Sequence, residues 1–205
     1  YMIVLDDGTK VWLNAGSKLR YPVRFGTGER RVEVLGEAFF EVVADEAHPF
    51  VVSSSNMELK VTWTSFNVKE YGGEPLSRVT LVPGRLAVSG RSGTAMLDPG
   101  SQAVVDGDRI TVDRTADPDA AGAWRHNKFV FDSQGLFEIL SSVSRWYDID
   151  VIYDGVDPHG YSLTGKLPRE SSLAEVLEVL GMITDIDFRI AGRTLTIIKR
   201  RNVAR

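Results

Sequence analysis

The sequence predicts an all-β domain followed by a small α+β domain. Three observations carry this. Short runs rich in Val, Leu, Phe and Thr recur between turn signals through the first hundred or so residues. The stretch Asp113 to Gly122 carries Asp, Ala, Pro and Gly with no periodic apolar face. Beyond it, apolar residues at helical spacing appear between short strands. These place a β domain at 1–112, a linker at 113–122 and an α+β domain at 123–205.

In the first domain, Asp6-Asp7-Gly8-Thr9 is a turn, with side-chain oxygens suited to Asx-type bonding and a glycine suited to positive φ. Lys10 to Leu13 alternates behind it. Arg31 to Leu35 alternates polar and apolar, and Gly36 to Val43 continues as a strand weighted by Phe39 and Phe40. Phe50 to Val52, Met57 to Val61, Ser65 to Tyr71, Arg78 to Val82 and Arg85 to Ser89 follow. Pro83-Gly84 and Asp98-Pro99-Gly100 punctuate them. Such a series builds an antiparallel sandwich, a roll or a solenoid, and the pattern leaves those three open.

In the second domain, Phe129 to Phe131 is a short strand. Leu136, Ile139, Leu140, Val143 and Trp146 mark one face of a helix that starts near Ser133. Ile149 to Tyr153 and Tyr161 to Lys166 are strands. Ser171-Ser172 caps a second helix with the stripe Leu173, Val176, Leu177 and Leu180, closed by Gly181. Ile186 to Ile190, the turn 191–193 and Thr194 to Ile198 make a terminal hairpin. The order is β-α-β-β-α-β-β, with two helices on one sheet.

Composition narrows the function. The net charge is −4 and the pI about 5.5, and the only basic cluster is Lys199, Arg200, Arg201 and Arg205 at the C-terminus. Nucleic acid is therefore not expected as a partner, since phosphate binding needs clustered cations on one surface. The chain has no cysteine, which removes thiolate metal sites and a cysteine nucleophile. No apolar run approaches the roughly 18 residues of a membrane span.

Catalytic and metal-binding constellations are missing as well. His48, His126 and His159 lie at no ligand spacing, so no metal is expected. The carboxylate pairs Asp6 with Asp7, Glu37 with Glu41, and Asp148 with Asp150 read as a turn, a strand face awaiting Arg or Lys partners, and a loop. No serine sits in a nucleophile elbow, and Gly26-Thr27-Gly28 lacks the rest of a nucleotide fingerprint. The expectation is no catalytic residue, no cofactor and no enzyme.

Certain ordered segments resemble a known family. They are Leu5-Asp6-Asp7-Gly8-Thr9-Lys10-Val11-Trp12-Leu13, Gly36-Glu37-Ala38-Phe39-Phe40-Glu41-Val42, His48-Pro49-Phe50-Val51-Val52, Thr64-Ser65-Phe66-Asn67-Val68, and Leu97-Asp98-Pro99-Gly100. Later come Ala123-Trp124, Trp146-Tyr147-Asp148 and Leu163-Thr164-Gly165. Together they resemble the FecR-like anti-sigma regulators of the Bacteroidetes type. The second domain is similar to the secretin and TonB short N-terminal fold. Thr62-Trp63 departs from the small residue usual in similar sequences at that place.

The resemblance implies the periplasmic part of a single-pass inner-membrane protein. The periplasmic signalling domain of a TonB-dependent outer-membrane receptor would be its partner. An extracytoplasmic-function sigma factor would be held by an N-terminal segment absent here, and a membrane anchor is expected upstream. The binding surface is expected on sheet edges of the second domain, with Tyr161, Leu163 and Lys166 on one strand and Thr194, Leu195 and Thr196 on another. Trp124, directly after the linker, is expected to pin one domain against the other. The alternative is a carbohydrate- or polymer-binding β module of the cell envelope, for which Trp12 and Trp63 would have to form an exposed aromatic row.

Overall fold

A computed structural model describes residues 1–200, so Arg201 and Arg205 of the basic tail lie outside the described residues. The chain divides into two compact units, Tyr1–Arg125 and His126–Arg205. The stretch 113–122 belongs to the first of these.

The strands of the first unit are β1 (Met2–Val4), β2 (Lys10–Leu13), β3 (Lys18–Arg20), β4 (Arg30–Val42), β5 (Phe50–Ser53), β6 (Glu58–Val61), β7 (Thr64–Glu70), β8 (Leu76–Gly84), β9 (Leu86–Gly90), β10 (Gly93–Leu97), β11 (Gln102–Asp106) and β12 (Arg109–Asp113). A short helix, α1 (Pro118–Gly122), follows. Strand β4 organises them. As the sequence predicts, the strand continues through Gly36; it runs unbroken for 13 residues and bends there. Gly36 has φ +96°, and a Cβ on it would lie 2.6 Å from Ser17 Oγ, so only glycine fits the bend. Before the bend β4 pairs with β3 and β5; after it, β4 pairs with β2 and β7.

One strand thus serves two ladders, β1-β2-β4-β7-β8-β11-β12 and β3-β4-β5-β6-β9-β10. Their inner faces share one core. Phe40 of the first ladder stacks on Phe66 at 5.0 Å and meets Phe50 of the second at 6.1 Å. The sheet is folded over its own apolar face, and one of its pairings, β4 with β5, is parallel where the sequence predicts antiparallel strands. Strands β11 and β12 extend it past the turn at Asp98-Pro99-Gly100. The hairpin β11–β12 turns on Gly107-Asp108, with Gly107 at φ +55°.

The second unit contains β13 (Lys128–Gly135), α2 (Leu136–Tyr147), β14 (Asp150–Asp154), β15 (Ser162–Pro168), α3 (Leu173–Ile183), β16 (Ile186–Ala191) and β17 (Thr194–Lys199). Its strands form two sheets where the sequence reading drew one. Strand β13 pairs with β15, while β14 pairs in parallel with β17, which also holds β16. The strands flanking each helix therefore go to different sheets. One core takes Leu136, Ile139, Leu140 and Val143 from α2 and Val176, Leu177 and Leu180 from α3. Phe129 and Phe131 enter it from one sheet and Leu195 and Ile197 from the other.

Helix α2 starts three residues later than the sequence reading places it. Ser133 has φ +47° and sits in a bulge of β13, where its N–H donates to Thr164 Oγ1. Helix α3 begins where its cap predicts: Ser172 and Glu175 form a reciprocal capping box. It runs past Gly181 to Ile183, because a glycine inside a packed helix costs only about 1 kcal/mol.

Candidate docking surface

Edge strands are where a sheet offers unpaired backbone groups to a second chain, so the functional question is which edges are open. Strand β15 has β13 on one side and, among the described residues, no strand on the other. Leu163 and Leu167 point to the core, and Lys166 is exposed. Tyr161 precedes the strand, and its hydroxyl donates to Asp185. That bond pushes the phenol pKa up and holds the Asp185 carboxyl below its usual range. Of the three, Lys166 turns its main-chain groups to the open side, whereas Tyr161, whose carbonyl accepts from the Leu136 N–H, and Leu163 turn theirs to β13.

Thr194, Leu195 and Thr196 are not on an edge. Strand β17 lies between β14 and β16, and Leu195 is fully buried. In a terminal hairpin the last strand reads as the outer one, but the parallel pairing with β14 closes its second side. Among the described residues, the open edges of this sheet are β14 and β16. Strand β16 borders a groove of about 510 Å³ along α3, lined among others by Leu177, Met182, Phe188 and Ile190. Met182 is 71% exposed, Ile183 55% and Ile190 50%. Sequence reasoning passed over this edge, although the alternation Ile186-Asp187-Phe188-Arg189-Ile190 carries it.

Trp124 lies in the first unit, packed on the outer face of the first ladder, and is buried there. Its indole N–H donates to Asn67 Oδ1 at 3.1 Å. Asn67 Nδ2 donates in turn to Glu37 Oε1 at 2.9 Å, and Asn14 Nδ2 to Glu37 Oε2 at 2.6 Å. Glu37 is therefore held by two amides rather than by a cation. Glu41 does meet cations, Lys10 at 3.8 Å and Arg125 at 3.4 Å. The Arg125 guanidinium lies 3.4 Å over the Phe39 ring and 5.1 Å from Trp12, and burial pulls its pKa down.

The remaining candidates fall into structural roles. Asp7 accepts from Thr9 in the expected turn, and also takes Arg30 at 2.7 Å. Arg30 is buried and further donates to the carbonyls of His48 and Val43. Trp12 is half-buried in β2 against Phe39, whereas Trp63 is exposed in the turn between β6 and β7. The two rings belong to different elements. Among the described residues, no cluster of three His, Asp or Glu side chains is placed to hold a metal ion.

Residues 2–86 match the FecR protein family, and residues 128–197 match the FecR C-terminal family. Two crystal structures, at 1.65 and 2.50 Å, of a Parabacteroides distasonis protein designated an anti-sigma factor superpose on this chain with TM-score 0.90. Identity is 30%, and the match covers 97% of this chain and 94% and 93% of those chains. This chain belongs to the FecR-like anti-sigma regulators. No curated protein sequence matches it. Within the FecR framework, the β unit corresponds to the FecR match and the α+β unit to the C-terminal match. Among the described residues, no helix is long and apolar enough to cross a membrane.

Proposed function

We propose that this chain is the periplasmic, signal-receiving part of a single-pass inner-membrane anti-sigma regulator. It acts by binding and not by catalysis. The signal comes from an outer-membrane TonB-dependent receptor, whose periplasmic signalling domain docks on the second unit. An extracytoplasmic-function sigma factor takes the output through a segment outside this chain. The observation that carries the reading is the FecR match of both units together with the 30% identical anti-sigma structure that spans nearly the whole chain.

The second unit supports the receiving role by its construction. Its short strands and two helices fit the resemblance to the secretin and TonB short N-terminal fold, the fold class of receptor signalling domains. Its sheets are short and leave edges open, so an extended segment can add a strand and gain backbone hydrogen bonds. The β15 edge at Lys166, beside Tyr161 and Leu163, is one such place.

Titration calorimetry of the full chain against the signalling domain of its cognate receptor tests this. The reading expects saturable one-to-one binding, weakened when Lys166→Pro removes an outward-facing backbone donor from β15. A flat titration with a folded receptor domain would refute it.

A further inference from the structure

The open edge of β16 carries a pattern that matches itself. Ala191 and Thr194 flank the two-residue turn Gly192-Arg193, so they exchange both ladder bonds, and the alternation then gives Arg189 and Asp187 to β17. The main-chain groups of Ile186, Phe188 and Ile190 are left facing outward. Consistent with this, Ile186 O accepts from the Arg200 side chain at 3.0 Å and not from β17.

We infer that β16 pairs antiparallel with β16 of a second copy about a two-fold axis through Phe188, joining two three-stranded sheets into one of six strands. An isologous contact needs a surface that complements its own rotated image. With the axis at Phe188, Asp187 of each copy faces Arg189 of the other, and Ile186 faces Ile190. Opposite charges directly across a ladder stabilise, and like charges destabilise. Arg189 has no ion-pair partner among the described residues, while Asp187 meets Arg200 at 2.9 Å on its own chain and is 55% exposed in its side chain.

The groove supplies the apolar part. Both copies of α3 lie on the same face of the joined sheet, so the two grooves open toward each other across the axis. Met182 and Ile190, exposed in one copy, then have a partner surface. The other edge of this sheet does not offer the same match. Self-pairing of β14 about Ile152 sets Asp150 against Asp154 of the second copy, two like charges. Strand β12 has Arg109 and Asp113 in complementary places but borders none of these exposed apolar side chains. The inference does not depend on the receptor reading, which concerns β15.

Sedimentation velocity on the full chain, from micromolar concentration up to about 1 mM, tests it. The wild type is expected to pass from monomer to dimer with rising concentration. Arg189→Asp, which makes the edge all acidic, and Asp187→Lys, which makes it all basic, should each weaken dimerisation at least about ten-fold. An equimolar mixture of the two should recover it, because the acidic edge then faces the basic one. Arg189→Lys should dimerise like the wild type, and it keeps the test open should Asp187→Lys fail to fold. A wild type monomeric throughout the range overturns the inference. So does an Arg189→Asp variant that dimerises as well as the wild type, or a folded mixture that stays monomeric.

Discussion

The outer face of the first ladder and the open edge of β16 are both rows of alternating apolar and polar side chains, yet they end differently. On the first, Phe39, Glu37 and Asn67 are covered by α1 and the residues after it. Each polar group finds a partner in the string from Trp124 through Asn67 and Glu37 to Asn14. On the second, Arg189 and Ile190 face outward, and Met182 stands exposed beside them. Alternation sets which way a side chain points; only the covering segment decides whether that side is buried. A covered face reads as scaffold. An uncovered edge beside exposed apolar side chains reads as a place to bind.

That contrast can be broken from the scaffold side first. Phe40→Ala empties the centre of the folded sheet, where Phe40 is fully buried between Phe66 and Phe50. A loss of about 3–5 kcal/mol is expected in urea unfolding followed by circular dichroism. A loss below about 1 kcal/mol would mean the first unit is not held by that core. Trp124→Phe keeps most of the ring but removes the donor to the buried Asn67. It should cost about 1–3 kcal/mol, since Asn67 Oδ1 is then left without that bond. Substitution at no cost would show that the covering segment is not anchored there. Ser172→Ala removes one half of the α3 capping box and should cost about 1 kcal/mol. This smallest effect sharpens the comparison if receptor binding persists, because the cap shapes the helix and not the edge.

Much of this was legible before any coordinates. The strand runs of the first unit, both helices of the second and the capping serine follow from periodicity and cap chemistry, which are local. The two ladders sharing β4 were not legible, because Gly36 reads only as part of a continuing strand. Its meaning depends on Ser17, nineteen residues away in sequence but in contact with it. The parallel pairing of β14 with β17 was hidden for the same reason. Without it, Thr194, Leu195 and Thr196 look like an edge, and with it they lie in the middle of a sheet. The Arg30–Asp7 pair was likewise beyond local signals, since Asp7 alone explains itself as a turn residue. That β15 forms an open edge was legible from sequence. The edge of β16 was not, because Asp187 and Arg189 become complementary only against their own rotated copy.

Hydrogen exchange on the full chain, with and without the cognate receptor's signalling domain, tests the division into scaffold and docking unit most directly. The account predicts slowed exchange concentrated in residues 126–200, with the largest change on the backbone of β15. Protection confined to the first unit, on β4 or on the segment that carries Trp124, would contradict it.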